Sequence, residues 1–338
     1  MNPKWYGFNV LWLFSAGGKN VSVNPAQIHI DERDLDCMVE MGCNFVRIPT
    51  DYRFFIHDFN YGHYDETMLK ILDDAIHAVT SRGMHCSLNV HRGPGYCING
   101  NEFEKDNLWT DKIAQDAFLN YWKMFAERYS SYNSKDLSFD LLNEPPNPGD
   151  YGLTHENHAE IMTNVYNEIK KISPDRKIII DGLGCGHLAV PELAGLGAIH
   201  SGRGYQPFEF THYKAPWVKH EGEWPQIAWP DMKINGKTWN KQALRDFYAP
   251  WKAVADTGCS VHIGEGGCYN AVDNQVALKW YEDWFSVLNE YDFGFALWNF
   301  RGPFGIAEHG RKNTKWEVKH GIAFDSELYA LFKNHIRL

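Results

Sequence analysis

The chain has 338 residues, a formal net charge of −10 and 44% hydrophobic residues. This length suits one large domain, so we predict a single domain over residues 1–338. The acidic balance argues against nucleic acid as a partner, because nucleic acid binding requires a basic face. No stretch approaches the ~20 continuous apolar residues of a membrane span.

The seven cysteines are odd in number and none lies in a CxxC pair. Most stand beside apolar residues, which predicts buried thiols in a reducing compartment. The sequence begins without a signal peptide and runs directly into a predicted strand, so we expect a cytoplasmic protein, and a monomer. A secreted protein from which a leader had been removed would have the same sequence.

In the first half of the chain, short apolar runs typical of strands alternate with apolar residues at helical spacing. The first two helices are each followed by a glycine, the residue that most readily ends a helix. The predicted elements are strand Tyr6–Leu11, helix Asp31–Met41, strand Phe45–Pro49, helix Asp65–Arg82, strand His85–Val90, a helix with Phe118 to Tyr129 on its buried side, and strand Leu137–Asn143.

The second half continues this alternation without a linker or an internal repeat. Its predicted elements are a helix over 161–172, strand Lys177–Asp181, a weak helix near Val190–Ala194, strand Phe208–His212, a helix from Asn240, strand Ser260–Glu265, helix Gln275–Leu288, strand Phe293–Phe300 and helix Ser326–Ile336. Eight strands alternating with helices predict an α/β fold, a (β/α)₈ TIM barrel. The rival, a doubly wound open sheet, usually carries a glycine-rich phosphate fingerprint after its first strand, and this chain does not.

In such a barrel, the residues at the carboxyl ends of the strands face the active site. Here those residues are polar, ionisable or aromatic, although the strands that lead to them are apolar. They are Asn9, Arg47, His91, Asn143, Glu144, His212, Glu265 and Trp298. A carboxylate at the end of a buried strand is costly unless it has a function there. Glu144 and Glu265 therefore predict a pair of carboxylates that meet in space, as in a glycosidase.

Five short motifs in this set resemble those of glycoside hydrolase family 5, the cellulase family of retaining glycosidases. They are Asn143-Glu144-Pro145, Gly264-Glu265, Arg47 after the second strand, His91 after the third and Trp298 after the eighth. The resemblance covers nearly the whole chain in the right order, and it implies a (β/α)₈ barrel.

The resemblance also implies roles for these residues. Glu144 is expected to be the general acid/base and Glu265 the nucleophile, with Arg47 as a donor to Glu265. The resemblance implies that Asn143 contacts the 2-hydroxyl of the sugar and that Trp298 forms the floor of its site. His91, His212 and Asn9 are expected to support the catalytic groups and the substrate.

The implied activity is that of a retaining endo-β-1,4-glucanase acting on β-linked glucan or its oligosaccharides, without a cofactor or a metal. A β-1,4-mannanase or glucomannanase using the same catalytic pair is an alternative. A sugar-binding barrel without turnover is an alternative of another class.

One motif departs from the family, which usually has His-x-Tyr after the sixth strand. This chain reads Thr211-His212-Tyr213-Lys214, so that Lys214 would stand in place of the tyrosine if His212 is the family's histidine. Tyr213 could then serve only after a local change of the backbone. The long segment that follows, Tyr213–Trp239, is predicted to form a wall of the cleft or to fold over its own tryptophans.

Overall fold

Eight parallel strands close into a barrel in the computed structural model, which describes residues 2–15 and 24–338. They are β1 Tyr6–Asn9, β2 Phe45–Asp51, β3 His85–Arg92, β4 Leu137–Asp140, β5 Lys177–Asp181, β6 Ile199–Gly204, β7 Ser260–Gly266 and β8 Gly294–Leu297. Each strand pairs with its neighbours in the chain, and β8 closes the barrel against β1. The predicted (β/α)₈ fold is confirmed.

Helices surround the barrel between most of the strands. They are α1 Glu32–Met41, α2 Glu66–Thr80, α3 Lys112–Arg128, α4 His155–Ile172, α5 Lys241–Asp256, α6 Asn274–Glu290 and α7 Ser326–His335. Asp31 and Asp65 cap the amino ends of α1 and α2, and Gly42 ends α1 at a φ of +85°. Between β5 and β6, only short turns at Leu183–Gly186 and Pro191–Leu196 replace a full helix. No helix among the described residues is long and apolar enough to cross a membrane.

The prediction of the sixth strand was wrong. The strand is Ile199–Gly204, whereas Phe208–Thr211, which was predicted as part of that strand, forms one helical turn. Pro207 directly before Phe208 suits the start of a helical turn better than a strand. The alternation of Phe208 and Phe210 reflects packing: Phe210 is fully buried, and Phe208 stacks on His212.

Glycine is required where α6 packs on the barrel. A Cβ added to Gly204 would lie 2.0 Å from the ring of Trp284, and one added to Gly266 would lie 2.3 Å from the same ring. Trp284 is fully buried, so neither contact could be relieved by an outward movement. This packing fixes the ends of β6 and β7, from which Arg203 and Glu265 reach the mouth of the barrel.

Candidate active site

Glu265 lies near the end of β7 and is surrounded by hydrogen-bond donors. Arg47 Nη1 donates to Glu265 Oε1, and the Tyr205 hydroxyl donates to Oε2 at 3.2 Å. Arg203 Nη2 lies 3.4 Å from Oε1. Only 2% of Glu265 is exposed. Because two guanidinium groups and a hydroxyl face it, this environment suits a carboxylate anion.

Arg47 on β2 connects the nucleophile candidate to the rest of the barrel. Its Nε donates to Asp140 Oδ2 at 2.6 Å, and its Nη2 donates to Asn143 Oδ1 at 3.0 Å. Burial alone would lower the pKa of Arg47, but the carboxylates of Asp140 and Glu265 raise it above its ordinary value. The guanidinium is therefore a permanent charge held in one orientation.

Asn9, at the end of β1, holds Arg47 from the other side. Its Oδ1 accepts from Arg47 Nη1 at 2.9 Å. Its Nδ2 donates to the carbonyl oxygens of Gly264 and Leu297 at 3.0 and 3.2 Å. Asn9 is fully buried, so the structure places it behind the site as a support.

The backbone of Glu144 is held in an unusual conformation just after β4. Its φ of +48° lies in the left-handed region, which side-chain-bearing residues rarely adopt. Its N–H donates to Asp181 Oδ2 at 3.0 Å, and its carbonyl oxygen accepts from the Tyr96 hydroxyl at 2.7 Å. Contacts on both sides of the residue thus direct its side chain into the mouth of the barrel.

The side chain of Glu144 has a single hydrogen bond to the described residues, in which Arg203 Nε donates to Oε1 at 3.0 Å. It remains 15% exposed and lines the cleft. Burial, followed by the charge of Glu265, raises the pKa of Glu144 to about 8, against the lowering effect of Arg203. A carboxyl with such a pKa keeps its proton at neutral pH and can donate it.

Asn143 and His91 form a hydrogen-bonded pair beside Glu265. Asn143 Oδ1 accepts from Arg47 and Arg203, which fixes the orientation of the amide. Its Nδ2 therefore donates to His91 Nε2, 3.1 Å away, and the ring proton of His91 lies on Nδ1, 4.0 Å from Glu265 Oε1. Burial lowers the pKa of His91, so the ring is neutral. Asn143 is fully buried, and its contact with a sugar hydroxyl stays a prediction.

Two groups of aromatic rings line the cleft that holds the glutamates. In the first, the rings of Trp298 and His91 stack with centroids 5.2 Å apart, and the ring of Phe14 lies 4.2 Å from that of His91. In the second, the ring of Phe304 lies 5.2 Å from that of His212 and 6.1 Å from that of Trp217. The cleft has a volume of about 480 Å³, within the range of small-molecule sites.

Tyr205 occupies the position that the sequence assigned to Tyr213 or Lys214. It follows β6 directly, and its hydroxyl reaches Glu265. Tyr213 instead packs against Trp224 away from the cleft, with Lys214 Nζ over its ring. The prediction of Tyr213 as a site residue was wrong, because it rested on the misplaced sixth strand. His212 does line the cleft, but from the helical turn.

Arg203 and Asp181 were missing from the predicted site. A shift of register between Gly202 and Arg203 places Arg203 opposite Glu265 in the pairing of β6 with β7. Asp181 is the last residue of β5 and contacts Arg203 through both of its oxygens. The motif Arg203-Gly204-Tyr205 thus stands where the family has His-x-Tyr, and an alignment on Tyr205 would have found it.

The long segment after β6 contributes one tryptophan to the cleft. Trp217 lines it and is 58% exposed. Trp224 packs on Tyr213 and His220, and Trp229 is buried with its Nε1 donating to Asp283. Both interpretations of this segment therefore hold for different parts of it. Among the described residues, no group of three or more His, Cys, Asp or Glu side chains could hold a metal ion.

Comparisons with known proteins agree with this geometry. The family model described as "Cellulase (glycosyl hydrolase family 5)" matches residues 14–302. Endoglucanase C of Acetivibrio thermocellus is 29% identical over 322 residues, covering 87% of this chain and 91% of that protein. Cellodextrinase A of Ruminococcus flavefaciens is 25% identical over 270 residues, covering 77% and 74%.

A solved structure described as a glycoside hydrolase is 48% identical, covers 98% of this chain and 99% of that chain, and superposes with a TM-score of 0.93. The family model spans most of the barrel and includes both glutamates. This chain belongs to glycosyl hydrolase family 5, the cellulase family, and is an O-glycosyl hydrolase.

Proposed function

We propose that this chain is a retaining endo-β-1,4-glucanase that hydrolyses β-1,4-glucan or its oligosaccharides. The observation that carries the proposal is that Glu144 and Glu265 line one cleft and contact the same guanidinium, at 3.0 and 3.4 Å. The similarity to an endoglucanase and to a cellodextrinase supports a β-1,4-glucan or its short chains as the substrate.

In the first step, a carboxylate oxygen of Glu265 attacks the anomeric carbon. The bond from that carbon to the leaving sugar oxygen breaks, and the leaving oxygen takes the proton of Glu144. The raised pKa of Glu144, about 8, keeps this proton in place at neutral pH. The product is a glycosyl ester of Glu265.

In the second step, Glu144 acts as a base. Once Glu265 is an ester its negative charge is gone, so one cause of the raised pKa of Glu144 disappears while Arg203 remains. Glu144 then takes a proton from water, the water oxygen bonds to the anomeric carbon, and the ester bond breaks. Two displacements at one carbon retain the β configuration.

The aromatic rings of the cleft suit the apolar faces of sugar rings. Trp298 is expected to form the floor beside Glu265, with His91 stacked beneath it. Burial lowers the pKa of His212 to about 3, so this ring is neutral at any working pH. We expect Trp217 and His212 to bind the part of the chain beyond the cleaved bond.

Initial rates on carboxymethylcellulose, glucomannan, mannan and cello-oligosaccharides test this proposal. We expect the highest rates on the cellulose derivative and on cello-oligosaccharides. Higher rates on pure mannan than on the glucans would show that the mannanase alternative is correct and the glucanase assignment is not. Binding of cello-oligosaccharides without turnover would support a sugar-binding barrel, and activity only on α-linked substrates would contradict both enzymes.

A further inference from the structure

Asp181 and Arg203 form a buried ion pair directly beside Glu144. Arg203 Nη1 donates to Asp181 Oδ1 at 3.2 Å, and Nη2 donates to Oδ2. Both side chains are fully buried. The same Oδ2 accepts the backbone N–H of Glu144 at 3.0 Å, while Arg203 Nε donates to its Oε1 at 3.0 Å. One ion pair therefore holds both the backbone and the carboxyl of Glu144.

The contact with Arg203 makes the two oxygens of Glu144 unequal. Oε1 accepts a charge-assisted hydrogen bond, which lowers its basicity. Within residues 2–15 and 24–338, no side chain or backbone group hydrogen-bonds to Oε2. A proton on the carboxyl consequently lies on Oε2, since a proton on Oε1 would face the Nε–H of Arg203.

We propose that Arg203, fixed by Asp181, is the positioning residue that keeps the transferable proton of Glu144 on Oε2 and sets the pH range of proton transfer. The inference rests on the proposed function, because it assigns Glu144 as the acid/base. In the first step the proton leaves Oε2 for the sugar oxygen, and in the second step Oε2 receives a proton from water.

The other titratable groups that face Glu144 are uncharged or already included in the mechanism. Glu265 on β7 is the nucleophile candidate. Tyr96 after β3 and Tyr205 after β6 have pKa values raised well above the ordinary value by burial, and burial raises the pKa of Cys185 after β5 to about 12. Arg47 and His91 contact Asn143, and neither makes a hydrogen bond or an ion pair with the side chain of Glu144. Among the described residues, the charged groups that act on Glu144 besides Glu265 are therefore Arg203 and Asp181.

The test is the pH dependence of kcat/KM on phenyl β-cellobioside, whose leaving group needs an acid. On the alkaline side of the pH profile, kcat/KM falls as Glu144 loses its proton, and we call this fall the alkaline limb. Arg203→Met removes a cation beside Glu144, so we expect the alkaline limb to move to higher pH by about one unit or more. Asp181→Asn can still accept the Glu144 N–H but removes an anion, so we expect the limb to move down. Arg203→Lys keeps the positive charge but loses the planar guanidinium that bonds Asp181 and Glu144 at the same time. We therefore expect a lower kcat/KM and an alkaline limb at nearly the same pH as in the unchanged enzyme.

Arg176→Lys is the matched control, because Arg176 is also buried but donates to the backbone carbonyls of Leu137 and Tyr129 far from the cleft. We expect it to lower the melting temperature without moving the limb. The proposal would be overturned if the alkaline limbs of Arg203→Met and Asp181→Asn moved in the same direction along the pH axis, or if neither moved.

If Arg203→Met does not fold, the other two variants test the proposal. An alkaline limb that stays in place in Asp181→Asn, or one that moves in Arg203→Lys, contradicts the assignment. Failure of the proposed function would be visible separately, since the unchanged enzyme would then hydrolyse neither the aryl cellobioside nor carboxymethylcellulose.

Discussion

Glu144 and Glu265 are the same residue type at the same edge of one barrel, but their surroundings differ. Glu265 is 2% exposed and accepts hydrogen bonds from Arg47 and Tyr205. Glu144 lies at a positive φ and lines the cleft, and its side chain accepts one hydrogen bond from the part of the chain that the structure describes. The fold therefore stabilises charge on one carboxyl and a proton on the other.

This difference is what a double displacement requires, since the nucleophile must be charged while the acid holds a proton. It arises from burial and from the placement of charges. Burial, then the charge of Glu265 and, to a smaller extent, that of Asp181 favour a proton on Glu144. Arg203 on β6 contacts both carboxyls, but Arg47 on β2 contacts Glu265 as a second cation.

The largest effect is expected from Glu265→Gln. Because the first bond to the anomeric carbon would not form, kcat/KM should fall by about 10⁴-fold or more on every substrate, whatever its leaving group. Steady-state rates measure the loss, and a circular dichroism spectrum controls for folding. A folded variant that retained a tenth of the activity would remove Glu265 as the nucleophile.

Glu144→Gln should separate the two roles. On phenyl β-cellobioside we expect a loss of about 10²–10⁴-fold, because the leaving oxygen receives no proton. The first step on dinitrophenyl β-cellobioside, which needs no acid, should be almost unaffected, and added azide should accelerate the second step. Equal losses on both substrates, with no azide effect, would mean that Glu144 does not transfer the proton.

The same variant should be more stable than the unchanged enzyme at neutral and alkaline pH. The pKa of Glu144 is raised from 4.5 to about 8, so the folded protein keeps a proton that the unfolded chain releases. Both states are protonated below pH ~4 and the variant gains nothing there. Between about pH 4.5 and 8 its advantage should grow to about 4 kcal/mol, since each unit of pKa shift corresponds to about 1.4 kcal/mol. Urea unfolding at pH 4, 6 and 8 measures it, and an advantage independent of pH would contradict the raised pKa.

Tyr205→Phe and Tyr213→Phe form a matched pair with a smaller expected effect. Tyr205→Phe removes a hydrogen bond to a charged group and should lower kcat/KM by about 10- to 100-fold. Tyr213→Phe should leave the rate unchanged, because that ring lies away from the cleft. The reverse result would restore the tyrosine assignment made from the sequence.

Most of the barrel could be predicted because its strands are apolar runs between clear helical patterns. Asn9, Arg47 and His91 lie on such strands and Trp298 directly follows one, and the structure brings all four together with both glutamates. β6 was missed because its sequence, Ile199 to Gly204, contains two glycines and polar residues. The strand is buried within the closed barrel, where Trp284 packs over Gly204 and Trp251 over Gly202, and no local sequence pattern records contacts between such distant parts of the chain.

Arg203 and Asp181 were missed for a related reason. A charged residue at a strand end indicates a functional position, but it does not indicate which oppositely charged residue of another strand it will pair with. The pairing of Arg203 with Asp181 depends on the register of β6, whereas the sequence marks Asp181 only as the end of a strand. The departure from His-x-Tyr lies at the end of the sixth strand, as the sequence indicates, but in Arg203 and Tyr205 and not in His212 and Lys214.

The most direct test of the account is covalent trapping with a 2-deoxy-2-fluoro-β-cellobioside that carries a good leaving group. The fluorine slows the second step, so the glycosyl ester should accumulate, and mass spectrometry of the digested protein should find the added sugar on Glu265. A sugar on Glu144, or no adduct together with a hydrolysis product of inverted configuration, would contradict the division of labour between the two glutamates.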